Sequence, residues 1–264
     1  MKVTLITGAS GGIGEAFARR LAEKNHNLVL VARTEQKLHE LCDELMLQYG
    51  ITAHYVAVDL NDFEADKRLF EETEKHGMEV DWLINNAGFG SMGEFAELSL
   101  ETELEMIGLN VMALVALTHR YLHGMRERRS GTIINVSSTA SFQPIPYMAT
   151  YAATKAFVTS FTEAIAEENK DVGITATALC PGPTETNFFA AADAVPFSAK
   201  GMQTAEEVVE VGLEGVARGK AHIISGWRNM FGAYAATFAP NSLVTKFISK
   251  VLKDKAEKKT ASKK

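Results

Sequence analysis

Short apolar runs alternate with longer amphipathic stretches along most of the chain. Val3–Ile6 is followed by Leu28–Ala32, Ala53–Val58, Asp81–Asn85, Thr132–Ser137, Ile174–Leu179 and Ala221–Ile224. Runs this short and this apolar read as strands buried on both faces. Helical periodicity fills the intervals. It predicts a helix beyond Gly14 with Ala16, Phe17, Ala18, Leu21 and Ala22 on its apolar face, and a second over Glu35–Tyr49. A third is capped by Asp62 and ends near His76, a long one runs from about Leu100 to Arg128, and two more cover Tyr147–Lys170 and Ala205–Arg218. Such alternation implies parallel pairing with right-handed crossovers. The expected fold is α/β, a single-domain doubly wound parallel sheet of about seven strands with helices on both faces.

Sheets of this Rossmann type bind ligands beyond the carboxyl ends of their strands. The first run leads there into TGASGGIG, Thr7–Gly14. Gly8, Gly12 and Gly14 remove side chains where a backbone must turn sharply and approach a pyrophosphate, while amides at the next helix N-terminus face the anion. The spacing is GxxxGxG, not GxGxxG, with Gly11 as an extra glycine. After the second strand comes Arg33, where an NAD site would usually carry an acidic residue for the ribose 2′-hydroxyl. A guanidinium there suits a 2′-phosphate and favours NADP(H) over NAD(H).

Beyond the fifth strand stand Ser137-Ser138 and then Tyr151-Ala152-Ala153-Thr154-Lys155 on a helix. Spacing of four puts Tyr151 and Lys155 on one face. The ammonium is expected to stabilise the phenolate and lower its pKa, making Tyr151 a general acid/base. Ser138 can donate a hydrogen bond to a substrate carbonyl oxygen.

TGASGGIG, the NNAG of Asn85–Gly88, Asn110, Ser138, YAATK and the PGPTET of Pro181–Thr186, in this order over Val3 to about Ile224, resemble the short-chain dehydrogenase/reductase family. The resemblance implies a tetrad of Asn110, Ser138, Tyr151 and Lys155. Ser138 is the matching serine because it lies thirteen residues before Tyr151. Tyr151 would protonate a carbonyl that receives hydride, Ser138 would polarise it, Lys155 would also bind ribose hydroxyls, and Asn110 would hold a water in a relay to Lys155. Gly8, Ser10, Gly12, Ile13 and Gly14 would line the phosphates, Arg33 the 2′-phosphate, Asp59 and Leu60 the adenine, and Asn86, Ala87 and Gly88 the adenosine ribose. Pro181, Gly182, Thr184 and Thr186 would surround the nicotinamide end, with Pro183 a departure from the usual motif. The implied activity is NADP(H)-dependent hydride transfer to an apolar ketone or 3-oxoacyl compound. NAD-dependent alcohol oxidation, and a non-catalytic NADP(H)-binding sensor or membrane-associated scaffold, are the competing readings.

With 264 residues, 46% of them hydrophobic, the chain can bury one large core, and no Pro/Gly/Ser-rich linker divides it. Residues 1–226 are expected to form the cofactor-binding and catalytic domain and 227–252 a helical extension of it. A lysine-rich tail, 253–264, is expected to be disordered. The net charge of -6 argues against nucleic acid as partner. Two cysteines without ligand-like neighbours, and the lack of a signal-like or spanning stretch, point to a reduced cytoplasmic protein. His119 and His123 have metal-compatible spacing but no third ligand nearby, so no metal is expected. Residues 187–202, with Phe188, Phe189, Val195 and Phe197, form an apolar lid candidate. Leu243, Val244, Phe247, Ile248, Val251 and Leu252 share one helical face beside Lys246, Lys250 and Lys253. That helix is expected to pack on its own domain or on a second subunit; peripheral membrane contact through 243–264 ranks below this. The apolar circumference of the Tyr151 helix fits a homodimer or homotetramer.

Overall fold

The computed structural model describes residues 1–188 and 202–262, the last nine of these as backbone only. Seven strands, β1 (Lys2–Thr7), β2 (Leu28–Ala32), β3 (Ala53–Ala57), β4 (Glu79–Asn85), β5 (Gly131–Val136), β6 (Ile174–Cys180) and β7 (His222–Ile224), form one parallel sheet in the order β3-β2-β1-β4-β5-β6-β7. The order reverses between β1 and β4. In a doubly wound sheet that is where a crevice opens at the carboxyl edge.

Alternate strand residues feed two apolar layers. On one face α1 (Gly12–Glu23), α2 (Glu35–Tyr49) and α7 (Ala205–Ala217) bury Phe17, Leu21, Leu38, Leu45, Val208 and Val209 against Ile6, Leu28 and Leu30. On the other, α3 (Ala65–Lys75), α5 (Leu114–Arg128) and α6 (Ala149–Asn169) place Leu69, Leu117, Tyr121, Met125 and Ile165 against Val3, Leu5, Val29 and Val31. Apart from the partly exposed edge strand β3, neither face reaches water, which is why the strands read as nearly continuous apolar runs.

Two helix expectations need correction. Asp62 is not the cap of α3, because Glu64 holds that position at φ 59°. The turn before it is closed by Ala65 N to Asp62 O (3.1 Å), and the Asp62 carboxylate is engaged by Arg68 (3.1 Å). The long helix from Leu100 is not continuous either: α4 (Leu100–Ile107) passes into a π-helical turn, Gly108–Ala113, before α5. Such turns insert a residue into the helical ladder. Here it delivers Asn110 into the interior, 1% exposed.

A row of polar side chains runs through the buried side of β4, β5 and α6. Asn85 Nδ2 donates to Thr118 Oγ1 (3.0 Å) and to Asn135 Oδ1 (2.9 Å), and Asn135 Nδ2 donates to Thr162 Oγ1 (2.9 Å). Further along α6, Ser137 Oγ donates to the Lys155 carbonyl (2.9 Å) and meets Thr159 Oγ1 at 2.7 Å.

After β7 the chain adds α8 (Trp227–Phe238) and α9 (Asn241–Ser262). In α9, Ile248 and Leu252 are buried with Met92, and Val244 packs beside Ile145, Tyr147 and Met148. The helix therefore packs on its own domain. Its backbone stays helical to Ser262, through the stretch expected to be disordered; alanine, lysine and glutamate there are strong helix formers.

Candidate active site

The carboxyl ends of β1 and β4 are fastened by a residue that the motif reading passed over. Thr7 Oγ1 accepts from the backbone amides of Asn86 (3.0 Å) and Ala87 (2.9 Å), and Asn86 Nδ2 donates back to the carbonyls of Thr7 (2.9 Å) and Gly8 (3.2 Å). Thr7 opens TGASGGIG, so the signal was present, but only the strand order shows that β4 is its neighbour. The glycines gain a more specific explanation as well. A Cβ on Gly14 would drive into the Gly8 carbonyl oxygen and lie 2.6 Å from Asn86 Nδ2, while one on Gly11 would meet nothing within 4 Å. Gly14 makes room for Asn86 and the first turn itself, not for a ligand.

α1 begins at this turn without a side-chain cap. Gly11, Gly12 and Ile13 line a cavity of about 980 Å3, toward which the uncapped amides of a helix N-terminus offer donors for an anion. Gly8, Asn86, Ala87, Gly88, Pro181, Gly182, Thr184 and Thr186 join the same wall. The residues present thus fit a dinucleotide. Arg33 and Asp59 stand outside the cavity at the ends of β2 and β3, 3.7 Å apart, with the Arg33 side chain 79% exposed. Ser10, Gly14 and Leu60 are also absent from the cavity wall; Leu60 packs into the second apolar layer.

Ser138, Tyr151 and Lys155 meet at the far side of the cavity. Ser138 lies just past β5, and its Oγ accepts from Ala140 N (3.1 Å) and hydrogen-bonds the Tyr151 phenol. Ser137 is committed to α6, which separates the roles of the two adjacent serines. Tyr151 is 8% and Lys155 6% exposed. Phe188 lies across the tyrosine ring, with centroids 5.4 Å apart, where Gly90 leaves space for both. Of the lid candidate, Asn187, Phe188 and Met202 are described and Phe188 lines the cavity; 189–201, with Phe189, Val195 and Phe197, lie outside the described residues.

The expected lowering of the Tyr151 pKa is not found. Burial pushes it up to about 12, against a smaller lowering by the Ser138 hydrogen bond. Lys155 Nζ sits 5.9 Å from the ring centroid and donates to the Val136 carbonyl at 2.9 Å, so its charge is not spent on the phenol oxygen. Burial also brings Lys155 down to about 8, with a small opposing pull from Cys180. Asn110 Oδ1 accepts from Phe89 N (3.1 Å), and Nδ2 donates to Phe89 O (2.9 Å) and Thr154 Oγ1 (3.1 Å). Its side chain clamps the loop after β4 beside Lys155, which is a positioning role.

The Lys155 shift has a measurable consequence for the protein without nucleotide. Below pH 8 the folded and unfolded forms both carry the ammonium, so the full cost of burying it is present. Between pH 8 and 10.5 the folded protein loses its proton first, and stability gains with rising pH. Relative to Lys155→Met, the native unfolding free energy is expected to rise by up to about 3 kcal/mol across that window. Denaturant titrations of both proteins would measure it; a difference that stays flat refutes a buried lysine of this kind.

The phosphate-type corner and the serine–tyrosine–lysine cluster thus line one cavity at the carboxyl edge of the sheet. The chain belongs to the short chain dehydrogenase family, whose model matches residues 2–195. It is 32% identical over 183 residues to the very-long-chain 3-oxoacyl-CoA reductase of Mus musculus, covering 67% of this chain but only 57% of that protein. Among solved structures it is similar to a short-chain dehydrogenase from Sphingobium yanoikuyae in complex with NADPH. That likeness has 29% identity and a TM-score of 0.81, covering 89% of this chain and 94% of the other. A 7β-hydroxysteroid dehydrogenase structure is similar at 27% identity and a TM-score of 0.85, covering 94% and 96%.

Proposed function

We propose that the protein is an NADP(H)-dependent reductase of apolar ketones, including 3-oxoacyl-type compounds. The observation that carries this reading is the cluster of Ser138 with the buried Tyr151 and Lys155 at the junction of two walls of one cavity. One wall is the glycine-rich corner. The other is apolar, built from Ile145, Met148, Phe188, Ala233, Val244 and Ile248. The 3-oxoacyl and steroid substrates named for the similar proteins are of the bulk and polarity such a wall accepts.

When bound, the nicotinamide supplies the hydride that the carbonyl carbon receives. Tyr151 gives its phenolic proton to the carbonyl oxygen as negative charge develops there, and Ser138 Oγ donates a second hydrogen bond to the same oxygen. Lys155 spends one of its three donors on Val136 O and would offer the others to ribose hydroxyls. Asn110 holds Phe89, and with it the loop bordering the nicotinamide end. Exposed Leu104, Ile107, Met112 and Phe157 support pairing of subunits through the α4–α5 and α6 faces.

NADPH oxidation against hydrophobic ketones, 3-oxoacyl thioesters and aldehydes tests the reading. Turnover of at least one class is expected, with Arg33→Ala raising KM for NADPH about tenfold or more and leaving KM for NADH unchanged. Equal use of the two nucleotides by the native protein would sink the NADP(H) preference.

A further inference from the structure

Helix α8 carries Trp227, Phe231, Tyr234 and Phe238 at positions i, i+4, i+7 and i+11, which form one face. That face is turned outward: Trp227, Phe231 and Phe238 are 71%, 73% and 88% exposed. The opposite side of the same helix buries Ala233 and contributes Asn229, Gly232 and Ala236 to the cavity wall. α9 repeats the arrangement, with Ile248 and Leu252 turned inward while Leu243 and Phe247 stand exposed at the cavity rim. Seven of the sixteen exposed large apolar side chains among the described residues fall between 227 and 247. A soluble surface usually scatters such residues singly.

Positive charge is concentrated at this end of the sequence. From Lys246 to Lys264 there are eight lysines against Asp254 and Glu257, giving +6, so the remaining chain carries -12 of the total of -6. Lys246 and Lys250 lie on α9 within a turn of Phe247, and the Arg228 guanidinium sits over the Trp227 ring at 5.2 Å. No described helix is long and apolar enough to cross a membrane. An aromatic stripe flanked by cations, on helices that do not span, is the composition of an element that lies in a lipid interface.

We infer that the α8–α9 pair docks on an anionic lipid surface, seating the aromatic stripe at the headgroup boundary and turning the cavity mouth toward the bilayer. Apolar substrate then enters from lipid along Leu243 and Phe247 and does not cross water. Arg228, Lys246 and Lys250 at this face favour anionic headgroups over a second copy of the chain as its occupant. The entry route for substrate rests on the reductase reading, whereas the docking does not, since its measurement is partition and not turnover.

The test is flotation of the full chain with phosphatidylcholine vesicles and with vesicles containing about 30 mol% phosphatidylserine. Binding is expected on the anionic vesicles only, declining as salt is raised. Phe231→Ser combined with Phe238→Ser should lower the partition coefficient about tenfold or more, and Lys246→Glu with Lys250→Glu should do likewise. Unchanged melting temperatures would show that these outward-facing variants fold. Absence of flotation, or flotation that the variants leave unchanged, overturns the inference. So does a dimer in light scattering that Phe231→Ser disperses without any vesicle binding, which would assign the face to a second copy.

Discussion

Tyr151→Phe is expected to lower kcat for ketone reduction by about 10²- to 10⁴-fold, the usual contribution of a positioned general acid, while nucleotide affinity and melting temperature stay near native values. The substitution deletes one oxygen from a ring held by Phe188 and by the space over Gly90. Ser138 Oγ keeps Ala140 N as partner and is not orphaned. Loss of rate without loss of binding or stability therefore isolates the proton. Single-turnover kinetics with saturating NADPH, beside an isothermal titration of the nucleotide, would separate the two. If the variant turns over at the native rate, proton delivery comes from elsewhere in the cavity and the assignment of Tyr151 fails. The expected pH profile is simple. With the phenol at about 12, donation should stay intact through neutrality, and activity lost near pH 8 would report Lys155 and its contacts instead.

The second large effect separates two glycines three residues apart. Gly14→Ala should destabilise by about 1–3 kcal/mol or more, since its methyl must displace a backbone carbonyl and the Asn86 amide, neither of which can retreat. That corresponds to roughly 2–4 °C of melting temperature for each kcal/mol in a chain of this size. Gly11→Ala adds a methyl into open space at a residue with φ 170°, an extended conformation open to any residue, and should leave stability unchanged. Equal melting temperatures for the two variants would show that the Gly14–Asn86 packing is not tight. Gly14→Ala should also loosen the corner by pushing on Asn86, so affinity for nucleotide falls with stability.

How much of this was legible follows from where each constraint resides. The strands read correctly to within about two residues at each end because burial on both faces leaves an unbroken apolar run, a local signal. Ser138, Tyr151 and Lys155 were legible because their spacing is set by one strand end and one helix. Thr7 and Asn229 were not readable as parts of the site. Thr7 matters only because β1 lies beside β4, and Asn229 only because α8 folds back until its side chain occupies the space over Gly182. The π turn at Asn110 escaped for a related reason, since periodicity cannot register one inserted residue inside a helix otherwise in phase. The Tyr151 pKa went wrong in sign: four-residue spacing brings the lysine near the ring, whereas the ionisation is decided by how deeply both are buried.

The polar row across β4 and β5 lies beside the site, but its effect is on assembly. Asn85 and Asn135 are register partners in adjacent parallel strands, and each spends its amide on the other or on a threonine from a covering helix. Slide β5 by one residue and Asn135 turns to the opposite apolar layer. Several buried amide and hydroxyl groups would then lack partners at once, each at a cost of about 1–3 kcal/mol. Apolar strands alone tolerate such a slip, because valine or isoleucine fits either side. The asparagines act as a proofreading step in the pairing of the central strands: only one alignment closes the chain of hydrogen bonds, and only that alignment brings Ser138 to Tyr151.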